Sequence, residues 1–500
     1  MIPFLGMIDS GNKVWAFFIV YAALLIFIGW LGKRASSGSD SMSDFYLNAR
    51  SMSLWVLLPT LYATQYSGNT LIGFAAKAYR SGFTLLYCVT FMMGVIGVYL
   101  IYAPKLYSLS RKFKFITTGD FVHWRFQSRT LTTLVAFSGI VAMANFIISN
   151  LKAIGVMTET ATNGQTPAWV GICFFALIIL IYEMLGGLRS VAWTDVIQGV
   201  ILFLGCIVIF FTIVGDLGGI TGVIDNLKSS APQYWQPPSG GDLVGWWSTV
   251  VVITIGIALY PHAIQRIYAA RSAKSLKVAF QAMVYLPLFT TLLMISVGWI
   301  GRTKFPELSK EASEGITLEF LSALAAQVPS VEIVILLFMA AVFSAIMSTV
   351  DSALLSISSM ITQDLYRPLN PGKDEKSLTQ LGKFASFLVI AIVVIITIFL
   401  ESSIYQIIEI KLELLVQIAP ALILGLHWKS LRSQPVLTGL IVGLSVSLFF
   451  VLGSMIAKDV IPRKPLNLHA GLIGFFANVT VILIMQKMMG FSKPVSDKTA

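Results

Sequence analysis

The sequence predicts an all-α polytopic membrane protein of about thirteen transmembrane helices, built as a five-plus-five inverted repeat with two broken helices. Three observations predict it. The chain is 56% hydrophobic and only 12% charged, with a mean hydropathy of +0.81, and it carries run after run of roughly 18 or more residues with few charges, each enough for a ~30 Å hydrocarbon core. Two of these runs are interrupted in their middles, at ATQYSGNTLIG (63–73) and GIALYPHAIQR (256–266). Each interrupted run opens a set of five spans, an odd number that sets the second half the opposite way up across the membrane.

Taken in order, the spans are expected near residues 15–31, 52–76, 83–104, 130–151, 167–185, 190–214, 246–265, 278–301, 331–362, 384–400, 403–428, 436–455 and 468–486, to within a few residues. Residues 1–500 then form a single membrane domain. Within it, 15–31 is an extra N-terminal helix, 52–214 the first repeat, 246–428 the second, and 436–486 two extra C-terminal helices. The Gly- and Pro-rich stretch 215–244 connects the halves. The first span is expected to be retained rather than cleaved, because only Lys13 is basic ahead of it and no small-residue cleavage site follows. The short tail leaves no expectation of an appended kinase or sensor domain.

Basic residues orient the chain. With the N-terminus outside and the C-terminus cytoplasmic, the inward loops and tail hold 23 of the 35 Lys and Arg, the outward segments 11, and Lys411 lies inside a span. That bias obeys the positive-inside rule and places a multi-pass protein in the cell membrane. The net charge of +11 is thereby explained by loops facing anionic lipid, and no nucleic-acid partner is needed. No Walker-type loop, HExxH or GxSxG occurs, so no nucleotide site and no catalytic residues are expected. Cys88, Cys173 and Cys206 lie in apolar runs without paired spacing and read as packing residues.

The breaks carry the chemistry. Ser67-Gly68-Asn69 in one, and Gly256 with Pro261-His262 in the other, oppose a continuous helix. Backbone groups freed there are tolerated only where they line an enclosed cavity and can meet an ion or solute. The ninth span, MAAVFSAIMSTVDSALLSISSMITQDLY (339–366), adds hydroxyls: Ala345, Ser348, Thr349 and Ser352 share one helical face. Either that face offers a dehydrated Na⁺ neutral oxygens, or its hydroxyls bond back to their own helix and glue helices together. Asp351, a carboxylate at membrane depth, favours the functional reading. Asp195, in GGLRSVAWTDVIQG (186–199), is either a second such acid or a helix-start acid at the interface. Glu409, Lys411 and Glu413 in the eleventh span read as a hydrated vestibule or an outer helix end rather than as chemistry.

Together these stretches resemble the sodium:solute symporter family over nearly the whole chain. DFYLNARSM (44–52), TTGDFVHWRFQSR (117–129), GGLRSVAWTDVIQG, YPHAIQRIYAARS (260–272) and SAIMSTVDS (344–352) look like its motifs in its order. The resemblance implies the leucine-transporter-like fold and Na⁺-coupled symport by alternating access, with Na⁺ as coupling ion. Carried over, its shared Na⁺ site takes the carbonyls of Ala63, Tyr66 and Ala345 with the hydroxyls of Ser348 and Thr349. A second site found in some members takes Asp195, Ser348, Ser352 and Asp351; an acid at the last position leaves open whether it holds Na⁺, a proton or neither. The implied solute pocket takes Gln65, Ser67, Asn69 and Thr70, Tyr260 and His262, and Gln417 near Pro420. Tyr260-Pro261-His262 and QIAPALILGLHWK (417–429) look more like the branches for monocarboxylates and pantothenate than like the sugar branch. A helix N-terminus and a His also suit a carboxylate. The alternatives are symport of a sugar, sialic acid or an amino acid; a channel or a membrane-embedded enzyme fits the broken, repeated helices less well.

Overall fold

The computed structural model describes residues 11–35, 41–162, 164–230, 234, 236–400, 404–457 and 460–490, with the side chains of 11–13, 69, 230, 311 and 404–409 also outside the described set. Among the described residues the regular structure is helical, and twelve segments are long and apolar enough to cross a bilayer. The sequence suggested about thirteen. The difference arises at the first break, where the leading half is too short to count by itself and the trailing half runs on into the next span.

Helix α1 (Gly11–Arg34) is followed by the short α2 (Met42–Leu47). The leading half of the first broken helix is α3 (Leu54–Gln65), only 12 residues long. At Tyr66 the backbone turns extended (φ −102°, ψ 104°), a π-type turn covers Asn69–Gly73, and α4 (Phe74–Ser81) resumes. Gly68 is required by close approach: a Cβ there would sit 2.3 Å from Ile346 Cγ1, so any other residue would push the break off its neighbour. A tight turn at Gly82–Leu86 leads into α5 (Tyr87–Phe113).

After α5, the short α6 (Thr118–Phe126) starts with a capping box in which Thr117 and Asp120 satisfy each other's backbone N–H groups. Its Arg125 donates to the carbonyls of Gly425, Trp428, Lys429 and Leu431. Next come α7 (Arg129–Ala161), α8 (Ala168–Gly186) and α9 (Leu188–Asp216). Between the last two, Gly187 takes φ +54° and presses against Phe45 O, where a Cβ would lie 2.2 Å away. The connector contains α10 (Gly219–Ser230).

The second broken helix comprises α11 (Gly240–Ala258) and α12 (Pro261–Ala269). Proline stands at the first position of α12, where it has no helical N–H to lose. All nine residues of α12 are buried. A single span kinked at Thr290 follows, made of α13 (Ala273–Phe289) and α14 (Thr291–Lys304), then α15 (Ile316–Ala325). The central rod is α16 (Glu332–Met360), unbroken over 29 residues and packed against α3, α7, α8, α9 and α12. The remaining helices are α17 (Glu375–Phe399), α18 (Ile404–Leu415), α19 (Ser433–Ile456) and α20 (Ala470–Met489). The apolar window of the α16 segment is 78% buried and that of α20 is 28% buried, which puts α16 at the axis and α20 at the lipid-facing edge.

Candidate functional site at the two helix breaks

Where α3 ends, its freed carbonyls meet the hydroxyl face of α16. The Ser348 hydroxyl donates to Ala63 O at 3.0 Å and to Ala345 O at 3.2 Å, and the Thr349 hydroxyl donates to Ala345 O at 2.8 Å. Ala63, Tyr66, Ala345, Ser348 and Thr349 are all buried. The extended backbone at Tyr66 takes its carbonyl out of the helical ladder. Four of the five expected residues are thus linked directly, and Tyr66 stands at the turn beside them. The resulting set is neutral oxygen from backbone and hydroxyls, the donor type that a hard cation prefers.

The two acids lie one layer from this cage and are not a bare carboxylate pair. Arg266, which the loop count placed at the membrane surface, is fully buried with Asp195. Its Nη2 lies 3.0 Å from Asp195 Oδ2 and 2.5 Å from Ser352 Oγ, its Nε donates to Thr60 Oγ1 at 2.9 Å, and its Nη1 donates to His262 O at 3.1 Å. The Thr60 hydroxyl donates in turn to Asp195 Oδ2. Asp351 accepts from Ser352 Oγ at 2.9 Å and from the Tyr182 hydroxyl at 2.6 Å. A continuous chain therefore runs Asp195, Arg266, Ser352, Asp351, Tyr182. With both carboxylates ionised it carries one excess negative charge, and Asp195 Oδ1 is buried without a hydrogen-bond partner. One further cation would balance the chain.

At the second break, Tyr260 and His262 converge on Phe146 of α7, with ring centroids 5.2 Å and 6.1 Å from it. His262 Nδ1 lies 3.4 Å from Met143 Sδ. The last carbonyl of α11, at Ala258, accepts from the Tyr102 hydroxyl. At the end of α3, half-buried Gln65 accepts from the Tyr99 hydroxyl at 3.4 Å, and its Nε2 has no hydrogen-bond partner. Ser67 is half-buried and Thr70 buried; the side chain of Asn69 lies outside the described residues.

Two expectations need correction. Gln417 is engaged away from these residues: its Nε2 donates to Ser447 Oγ at 3.0 Å and Gly471 O at 2.9 Å, and its backbone carbonyl accepts from Asn478 Nδ2 at 2.9 Å. It ties the eleventh span to α19 and α20. Lys411 and Glu413 do not line a hydrated vestibule either, for they are 3% and 4% exposed. Glu413 meets His469 Nδ1 at 3.3 Å, whereas the Lys411 ammonium sits 3.1 Å from the Phe146 ring centroid and 5.3 Å from that of Tyr260. The side chain of Glu409 is outside the described residues. Reading by sequence missed Arg266, Thr60, Tyr182, Phe146 and this use of Lys411. A lone cation inside an apolar run was the available signal for the last.

The geometry is that of neutral oxygens gathered at the first break beside a buried charged chain and a ring cluster at the second, and known proteins share the family and the fold. The model of the sodium:solute symporter family matches residues 45–443. The sodium/pantothenate symporter of Escherichia coli is 25% identical over 474 residues, 91% of this chain and 95% of that one. A monocarboxylate transport permease protein of Rhizobium johnstonii is 22% identical, covering 97% and 99%. Other relatives are named for proline and for glucose. A substrate-bound outward-open Na⁺-coupled sialic acid symporter superposes with a TM-score of 0.81 at 20% identity, over 96% of this chain and 98% of that one, and this likeness establishes the fold. All of these are transporters and not enzymes.

Proposed function

We propose that this chain, which belongs to the sodium:solute symporter family, uses the inward Na⁺ gradient to import a small carboxylate across the cell membrane by alternating access. The observation that carries the Na⁺ part is the 3.0 Å contact between Ser348 Oγ and Ala63 O. It brings the hydroxyl face of α16 onto the freed carbonyls of the first break, so that Na⁺ binding draws two separate elements together. Ala63, Tyr66, Ala345, Ser348 and Thr349 form the proposed Na⁺ cage. The excess negative charge shared by Asp195 and Asp351, with Ser352, takes a second Na⁺ or a proton. Residues 52–214 and 246–428 act as the two inverted halves, with the N-terminus outside and the C-terminus in the cytoplasm.

The solute lies between Gln65, Ser67, Asn69, Thr70, Tyr260 and His262. Support for a carboxylate comes from α12, which opens toward this cleft with the positive end of its dipole and with His262 in its first turn, and from the names of the pantothenate and monocarboxylate relatives. The test is uptake of labelled lactate, pyruvate, propionate, pantothenate, proline and galactose into proteoliposomes, with and without an inward Na⁺ gradient. Carboxylate uptake that collapses when K⁺ replaces Na⁺ at fixed pH is expected. Equal uptake in K⁺ would overturn the coupling, and competition by galactose without any carboxylate would overturn the solute class.

A further inference from the structure

Lys411 is a buried cation that the Na⁺ chemistry does not use. It lies in α18, on the same ring cluster that forms the second break. Its ammonium stands over Phe146 at 3.1 Å and near Tyr260 at 5.3 Å, and Phe146 in turn packs against His262. Among the described residues no carboxylate pairs with it. Glu413, two residues on, is turned away to His469, and the acids Asp195 and Asp351 are engaged by Arg266, Ser352 and Tyr182. An aromatic face recovers only part of what an ammonium loses on leaving water. The three N–H donors of such a group remain available to an acceptor brought in from outside. That acceptor would arrive in the cleft walled by Tyr260 and His262, where the solute is placed.

We infer that Lys411 is the counter-ion of the transported solute: its ammonium binds the solute carboxylate over the Phe146–Tyr260 wall and selects monoanions over neutral sugars and zwitterions. The inference rests on the carboxylate reading above and goes further by naming the residue and the net charge. A sugar brings no charge to offset the ammonium. A zwitterionic amino acid brings a second ammonium to a site that already holds one. A monoanion leaves the site neutral, which is the arrangement a low-dielectric cleft favours.

The experiment uses the full-length protein in proteoliposomes and three variants, Lys411→Met, Lys411→Arg and Phe146→Leu, with labelled pyruvate, propionate, lactate and pantothenate as probes. The half-saturating concentration of whichever probe the wild type transports is expected to rise about a hundredfold in Lys411→Met, the usual loss for one member of a buried charge pair. Lys411→Arg, which keeps the charge, is expected to stay within about tenfold, with Phe146→Leu between the two. Two readouts separate binding from structure. ²²Na⁺ binding without solute should be unchanged in Lys411→Met. Its melting temperature should equal or exceed that of the wild type, and the probe should raise the melting temperature of the wild type but not of the variant. Unchanged carboxylate affinity in Lys411→Met would overturn this inference and leave the carboxylate reading standing. Loss of Na⁺ binding together with a lowered melting temperature would overturn it in favour of a structural lysine. A wild type that takes up no carboxylate of the panel would overturn both readings.

Discussion

The two breaks solve opposite problems with opposite materials. The first, at Tyr66–Gly68, gathers backbone carbonyls and the hydroxyls of Ser348 and Thr349 and contains no charged side chain, which suits a small cation that needs hard oxygen without a deep electrostatic trap. The second, at Leu259–Tyr260, gathers Tyr260, His262, Phe146 and Lys411, a wall of rings with a cation at its edge and a helix N-terminus beneath it. A broken helix is therefore not one kind of site. What each gathers is set by the element packed across from it: the hydroxyl face of α16 in one case, the aromatic and basic faces of α7 and α18 in the other. Arg266 stands between them, bonded to His262 O on one side and to Asp195 on the other, so the two sites share a member.

The sharpest way to break this division is to remove the shared member. Arg266→Met leaves Asp195 buried without its partner and is expected to cost about 3–5 kcal/mol of stability, seen as a fall in melting temperature of the purified protein and loss of transport. Adding Asp195→Leu should recover most of the stability, because two apolar residues replace the pair. A stable, active Arg266→Met protein would show that the two sites are independent.

A smaller effect should stay confined to the first break. Thr349→Ala or Ser348→Ala removes one oxygen from the cage and should weaken Na⁺ by ~1–3 kcal/mol, roughly fivefold to 150-fold. The half-saturating Na⁺ concentration for uptake measures this, with protein abundance unchanged. Were solute affinity at saturating Na⁺ to fall as much, the separation of the two sites would be wrong.

Asp351→Asn should alter the number of charges moved per solute or the pH dependence of uptake, since it removes the excess negative charge of the chain through Ser352 and Arg266. Uptake with the same charge ratio and the same pH profile would reduce Asp351 to a hydrogen-bonding residue for Tyr182. The smallest effect on transport is expected from Gln417→Ala. That change leaves Ser447 Oγ and Gly471 O without the Gln417 Nε2 donor and should lower stability by about 1–2 kcal/mol, while solute affinity stays at the wild-type value. A large loss of affinity would return Gln417 to the pocket.

The sequence by itself determined the class, most of the spans, both interruptions and the hydroxyl face of residues 345–352, because each of these is a local signal. Hydropathy over a window, a glycine or proline against a helix, and a repeat of three and four residues all act between near neighbours. The family resemblance extended this to Ala63 and Tyr66, positions whose proposed role falls to the backbone and so leaves no trace in residue type. Only the tertiary structure decided the partners. Arg266 sits five residues past Pro261 and counted as a loop cation until Asp195, 71 residues away, was seen to hold it inside. Lys411 and Glu413 look like one polar patch in the chain, yet they turn to Phe146 and His469 respectively. Gln417, beside the Pro420 that marks the eleventh span as irregular, is claimed by α19 and α20. A buried charge in a membrane protein is placed by whatever compensates it, and the compensating group comes from a distant span whose arrival no window of sequence can register.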